Sequence, residues 1–401
     1  MTDLPAEILS KIITYLPHDG KLVQAMLVCR RFRDIIEPIF YRSITLQSLP
    51  PQHRTGHTDA AANLLRTLCA RPELARYVTT VSGRGSLYDQ DYADFTRLIG
   101  LLPRLQVLDL TPEVTDLDLT YLHLKTLLLL FPDSMSYDEG EDEMDIVARH
   151  FWMPTLRTLQ IENISLEGQL DHLFPLERYQ TSPIIDLRLL IVFCAYQTHG
   201  ILPQILLSVK SLRRFTVEFT TMIDIEVDDL HEHLSLEVIT SALLPHALTL
   251  EQIIIVIGSS LDVSRALPKR GFMCFAALRR LVIPETFLQY CEGSKTQLAL
   301  PLQLEELQLQ YIVRPYWYRD PNLERLPVLA RMVQASLRAL KLVVWWNEVP
   351  RWGFEDSTPY IMAPEMETLA HTFQQVGVLF RRVDQPYFKD TPLGQNMFRY
   401  Y

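Results

Sequence analysis

Glycine is scarce in this chain, with 14 in 401 residues. No GxGxxG, GxxxxGK(S/T) or GxSxG pattern occurs. Those loops need glycine where the backbone approaches a phosphate or turns sharply under a nucleophile. Nucleotide binding and serine hydrolysis of these kinds are therefore disfavoured. Cysteine is limited to Cys29, Cys69, Cys194, Cys274 and Cys291. The five are far apart, odd in number and never in a CxxC pair. This speaks against zinc ribbons and a disulfide framework, and for free buried thiols in a reducing compartment. Cys29 sits beside basic residues, but its apolar helical block favours packing over reactivity. The formal net charge is −10 and no basic stripe is visible, so no nucleic-acid partner is expected. The longest uncharged apolar run, Leu189 to Tyr196, is far short of the roughly 20 residues a membrane helix needs. Asp3, Glu7 and Lys11 interrupt the first apolar run, unlike a secretory signal. No membrane partner is expected.

Two short patterns resemble chemistry without its setting. Asp116-Leu117-Asp118-Leu119-Thr120 matches DxDxT, but the turn-like Pro112-Glu113-Val114-Thr115 precedes it where a buried strand is needed. His231-Glu232-His233 lacks the i, i+4 spacing that sets two imidazoles on one helical face. No catalytic residue, cofactor or metal is expected. Residues 133–145 carry seven acids and no base, which reads as a solvated acidic loop. The 25 prolines suggest many short elements with regular punctuation.

The first 42 residues are patterned differently from the rest. Leu4, Ile8, Ile12 and Leu16 recur every four residues, and Leu9 and Ile13 widen the stripe. This spacing predicts a helix over 4–16, with Asp3 as its cap and Pro5 in its first turn. Pro17-His18-Asp19-Gly20 breaks it. Further helices are expected over 21–29 and 30–37, the last ended by Pro38. Residues 41–46 then alternate like the first strand of the following body. So small a unit buries little core by itself, and it must lean on the following body or on a partner.

The order Leu4-Pro5, Glu7-Ile8-Leu9, Ile12, Leu16, Leu27-Val28-Cys29-Arg30-Arg31-Phe32, Pro38 and Tyr41 resembles an F-box. Phe32 stands where that family often has Trp, and it keeps the aromatic bulk. The resemblance covers about a tenth of the chain. It implies three helices that bind the Skp adaptor of a cullin–RING ubiquitin ligase, and with it the cullin scaffold. Leu4, Pro5, Ile8 and Leu9 would lie at or near that interface. Ile12, Leu16, Val28 and Phe32 would divide between adaptor contact and holding the helices together. The alternative is that all of them cap the core of the body.

From about residue 74 a Leu-x-x-Leu-x-Leu phrase recurs. Copies begin at Leu105, Leu124, Leu156, Leu187, Leu212, Leu250, Leu278, Leu304 and Leu337, with a weaker one at Val78. Helices are expected between them over 61–69, 92–102, 142–151, 203–209, 234–244, 327–336 and 364–375. The phrase resembles the leucine-rich repeat in a degenerate, long-period form. The expected architecture is α/β: an F-box at 1–46, then an irregular solenoid over 47–401, with parallel strands on the concave side and helices on the convex side. The alternative is an ordinary α/β sheet.

In such a solenoid the residues after the fourth and sixth motif positions face the concave surface. The middle of that surface, at Ile191, Phe193, Ile254, Val256 and Val282, is apolar, and an exposed apolar patch marks a binding site. The alternative is that a loop or the tail covers it. Tyr311, Tyr316, Trp317, Tyr318, Trp345, Trp346 and Trp352 crowd the last repeats as a second interface or a cap. The expected function is non-catalytic: an adaptor that holds an unidentified target protein for ubiquitin transfer, in the cytoplasm and/or nucleus. A scaffold that degrades nothing is the alternative.

Overall fold

Every described strand pairs with a sequence neighbour in parallel, so each pair requires a crossover segment. The computed structural model describes residues 5–15, 20–47, 60–84, 89–110, 123–131, 140–164, 172–192, 198–220, 236–257, 272–284, 300–312, 339–348 and 363–383. The chain forms two units, 1–134 with 149–162 and 135–148 with 163–401.

The first unit opens with α1 (Ala6–Thr14), α2 (Gly20–Val28) and α3 (Arg30–Phe40). It continues with β1 (Ser43–Gln47), α4 (Ala60–Ala70), α5 (Pro72–Ala75), β2 (Thr80–Arg84), α6 (Asp89–Gly100), β3 (Val107–Leu110) and β4 (Thr126–Leu130). The division between units falls inside α7 (Gly140–Phe151) and near the end of β5 (Thr158–Ile164). Strands β1 to β5 pair in chain order. The second unit holds β6 (Asp186–Val192), α8 (Thr198–Ser208), β7 (Arg214–Thr220), α9 (Leu236–Leu243), β8 (Gln252–Ile257), β9 (Arg280–Pro284), β10 (Glu306–Ile312), β11 (Leu342–Glu348), α10 (Ala363–Gln375) and β12 (Leu379–Val383). Strands β6 to β12 also pair in chain order. Each unit is thus a solenoid-like run of parallel strands with helices between them. The helix expected over 327–336 lies outside the described residues.

One backbone device marks the start of each repeat. Two successive N–H groups entering a strand donate to a single carbonyl at the entry of the strand before. Lys125 and Thr126 donate to Gln106, Arg213 and Arg214 to Ile185, Glu251 and Gln252 to Arg213, and Lys341 and Leu342 to Glu305. Thr79 and Thr80 donate in the same way to Arg42. β1 is therefore built into the ladder, although it directly follows the three N-terminal helices.

The device corrects two of the nine copies. Ile185 occupies the place of Arg213, and Leu187, Leu189 and Ile191 lie opposite Phe215, Val217 and Phe219. The copy therefore runs Ile184-x-x-Leu187-x-Leu189 instead of beginning at Leu187. The last copy likewise begins at Leu340 instead of Leu337, because Val343 and Trp345 lie opposite Leu307 and Leu309. Both slips are three residues. An odd slip moves every side chain to the other face, and runs such as Asp186–Val192 carry leucine in both registers. After the correction the copies at Leu156, Ile184 and Leu212 are evenly spaced at 28 residues. Ile191 consequently belongs to the core column, where it is fully buried. Ile191→Ala should cost about 2–5 kcal/mol in urea unfolding, as for a packed core position.

Salt bridges run across the strand entries of the second unit. On one side chain column Arg213 pairs with Glu251 at 3.8 Å, and Arg279 and Lys341 pair with Glu305 at 3.6 and 2.6 Å. On the other, Arg188 and Arg214 share the buried Asp186 at 3.0 and 3.1 Å, and Arg280 pairs with Glu306 at 3.2 Å. Bonding to Lys341 holds the Glu305 carboxyl below its ordinary range. The exposed pairs to Glu251 and Glu305 contribute little individually, but opposite charges on neighbouring strands favour this register over a slipped one.

The acidic run is not a loop throughout. Residues 140–145 open α7, and Met144 among them is fully buried. Acidic residues suit the positive end of a helix, and Arg149 and His150 suit its last turn. Residues 133–139 lie outside the described residues.

Candidate functional site

The three N-terminal helices divide their apolar residues between two environments. Leu9 and Ile13 on α1, Leu22 on α2 and Ile36 on α3 are buried. Ile13, Leu22 and Ile36 form one core, against which Ala25, Met26, Phe32, Ile35, Ile39 and Phe40 pack. α1 begins at Ala6, with Pro5 itself in the capping position; the Ile8 and Leu9 N–H groups donate to its carbonyl. α3 carries Pro38 within its last turn instead of ending before it. The Tyr41 N–H still reaches the Glu37 carbonyl at 3.0 Å, so one more turn closes beyond the proline.

The other apolar side chains face outward. On α1, Ile8, Ile12 and Tyr15 are 43%, 48% and 88% exposed. Their spacing of four and three residues puts them on one helical face. On α2, Val23, Leu27 and Val28 are 41%, 74% and 72% exposed. Side chains of this kind are each worth roughly 1.5–3 kcal/mol when buried, so a partner covering them would gain a firm contact.

Of the residues expected at the adaptor interface, Pro5, Ile8, Ile12 and Val28 are exposed and Phe32 is half-buried against the helical core. Leu9 is instead a core residue, one position round from Ile8 on a 3.6-residue turn. Leu4 and Leu16 lie outside the described residues. Tyr15, Val23 and Leu27 join the exposed set without having been singled out; the four-residue step from Val23 to Leu27 was the available signal. Cys29 is exposed in the turn before α3, not packed.

The helices are fastened to the repeats behind them. The Arg71 guanidinium donates to both carboxylate oxygens of Glu37 on α3, at 2.7 and 2.9 Å, and to Glu73 at 2.8 Å. A two-pronged pair of this kind fixes orientation as well as distance. Burial pushes the neighbouring Tyr41 hydroxyl up; Glu37 adds to the shift and Arg71 opposes it. With β1 paired along its whole length to β2, the helical unit and the first repeats are continuous.

The second candidate surface is closed. Ile254, Val256 and Val282 are buried and form a cluster of their own, and Ile191 lies in the core column. Phe193 is outside the described residues. The sheet face opposite the leucine column also buries Gln308 and Gln310. An apolar stripe in sequence marks a buried face equally well whether core or covering chain buries it, and here the face is not open. Of the aromatic group, Tyr311 lies in β10 and Trp345 and Trp346 in β11; Tyr316, Trp317, Tyr318 and Trp352 are outside the described residues, as are the DxDxT and His-Glu-His stretches. Among the described residues no group of His, Cys, Asp and Glu is arranged to hold a metal. No described helix is long and apolar enough to cross a membrane.

Residues 1–47 match a family model described as F-box-like. The chain carries an F-box-like domain. The match ends with β1, so the domain's last element is also the first strand of the ladder. A search of the curated proteins finds no match. An F-box-like domain points in general to an adaptor role in a ubiquitin ligase, through binding of a Skp-type adaptor.

Proposed function

We propose that the chain is the substrate-recognition subunit of a Skp–cullin–F-box ubiquitin ligase. The apolar side chains left exposed on α1 (Ile8, Ile12 and Tyr15) and on α2 (Val23, Leu27 and Val28) carry this reading. They lie within the F-box-like match, and they are not needed for the helical core. The adaptor would cover them, with the cullin bound through the adaptor. The repeats over 47–401 would hold a target protein, in the cytoplasm and/or nucleus. The chain would supply proximity and no chemistry of its own: a bound target sees the ligase at a high effective concentration. The Glu37–Arg71 clamp and the β1–β2 pairing would keep the helices from swinging on a linker.

Ile8→Ser combined with Leu27→Ser should weaken adaptor binding about 100-fold, at roughly 1.5 kcal/mol or more for each lost contact. Calorimetry with the purified adaptor measures it, and circular dichroism should show an unchanged fold. Undiminished binding would remove these side chains from the interface. Capture of adaptor without cullin would favour a scaffold that degrades nothing.

A further inference from the structure

We propose that the strand-entry edge of the second unit is a docking surface for an acidic protein segment bearing spaced apolar anchors. This deepens the reading of the repeats as the target-binding part, but it rests on different residues from those that would hold the adaptor.

The first observation is charge. Among the described residues, the exposed column of strand-entry salt bridges joins three cations, Arg213, Arg279 and Lys341, to two carboxylates, Glu251 and Glu305. Among the described residues this column therefore carries one more cation than carboxylate, on a chain whose net charge is −10. It is also reachable: the side chains of Arg213, Arg279 and Lys341 are 59%, 68% and 74% exposed. A guanidinium has five N–H donors, and the single long contact of Arg213 or Arg279 to its glutamate leaves most of them toward solvent.

The second observation is apolar exposure on the same edge. Leu248 and Leu302 are 82% and 71% exposed. Each stands two residues before the first leucine of its copy, Leu250 or Leu304, so the two occupy equivalent places in the turns entering β8 and β10. One strand lies between them, which sets them about 10 Å apart. Met273, in the turns ahead of β9, is exposed as well. Nothing in the core requires leucine at a turn position open to water, and Lys210 holds the equivalent place ahead of Leu212. Exposed leucines beside unsaturated cations complement a chain with the opposite charge and its own apolar side chains. Because strand entries repeat at a fixed interval, an extended segment laid across them would meet a cation and an apolar contact in alternation.

Fluorescence anisotropy of the full chain with a labelled peptide of repeating Glu-Leu-Glu tests the proposal. Binding is expected, and it should weaken as salt is raised. A peptide with Lys for Glu should not bind, and one with Ser for Leu should bind at least about tenfold less tightly. Arg213→Gln with Arg279→Gln, and separately Leu248→Ser with Leu302→Ser, should each lower affinity about tenfold. These are exposed positions, and circular dichroism confirms that each variant is folded. Failure of the acidic peptide to bind, equal binding of the Lys peptide, or unaltered affinity in either double variant would overturn the proposal. Adaptor capture by the same preparations separates the two readings: the edge variants should capture adaptor normally, and a chain that captures none would sink the ligase reading while leaving the peptide result to decide this one.

Discussion

Gln310→Ala should destabilise the second unit by about 2–6 kcal/mol, the sum for two buried backbone groups orphaned at roughly 1–3 kcal/mol each. The reason lies in a proline. β8 runs on to Ile257, while its pairing with β9 runs from Gln252 opposite Arg280 to Ile254 opposite Val282. β9 ends at Pro284, which has no N–H to offer. Gln310, opposite Pro284 on β10, reaches past β9 to fill the gap. Its amide nitrogen donates to the Ile257 carbonyl at 2.8 Å, and its oxygen accepts the Ile257 N–H at 3.0 Å. Both partners are fully buried, so water cannot replace the lost bonds at no cost. Gln310→Leu keeps the apolar volume and should lose nearly as much, which assigns the effect to hydrogen bonding. Urea unfolding measures the loss, and the Ile257 amide should exchange faster in both variants. A midpoint unchanged from the parent would show that the end of β8 is satisfied by other means.

The second large effect is expected at His246, which joins two repeats. It is buried in the short 3-10 turn after α9. Its Nδ1 accepts the Leu212 N–H at 3.4 Å, and its Nε2 donates to the Leu206 carbonyl at 2.9 Å. In several other copies the opening leucine donates to the residue three before it, as Leu156 does to Met153 and Leu278 to Phe275; at Leu212 the imidazole receives that N–H. His246→Ala should cost about 2–6 kcal/mol by the same reckoning. Protonation is resisted for the same geometric reason, since Nδ1 cannot both accept and carry a hydrogen. Burial lowers the His246 pKa from its usual 6.5, with the bond to Leu206 opposing the shift. Below 6.5 the unfolded chain takes up a proton that the folded chain refuses. The stabilisation is therefore complete above 6.5 and is lost as the pH falls from there through the lowered folded value. The parent should lose more stability than His246→Ala between pH about 7.5 and about 5.5, on either side of that value. Equal losses would mean that the imidazole does not titrate with unfolding.

Neither side chain could have been singled out from the sequence. Gln310 reads as one more polar residue alternating with leucines, and His246 as a lone histidine in a Pro-containing turn. Their value comes from partners 53 and, for Leu206, 40 residues away. The helical module was more legible, because Ile8 and Ile12 obey the spacing that a single helix imposes on itself. The exchange of Leu9 for Tyr15 and Leu27 at its surface depended on how three helices pack, and two adjacent leucines or isoleucines do not announce which of them turns inward.

By itself the sequence determined the alternation of helices and parallel strands, the three short helices at the start, and seven of the nine repeat copies. These are local properties: a strand's period of two and a helix's 3.6 are written into neighbouring residues. Tertiary structure alone decided the register of the copies at Ile184 and Leu340 and the closure of the face that carries Ile254, Val256 and Val282. Each of these depends on which backbone group bonds to which across strands. A run such as Asp186–Val192 presents leucine to both faces, so only the carbonyl of Ile185, receiving Arg213 and Arg214, breaks the tie.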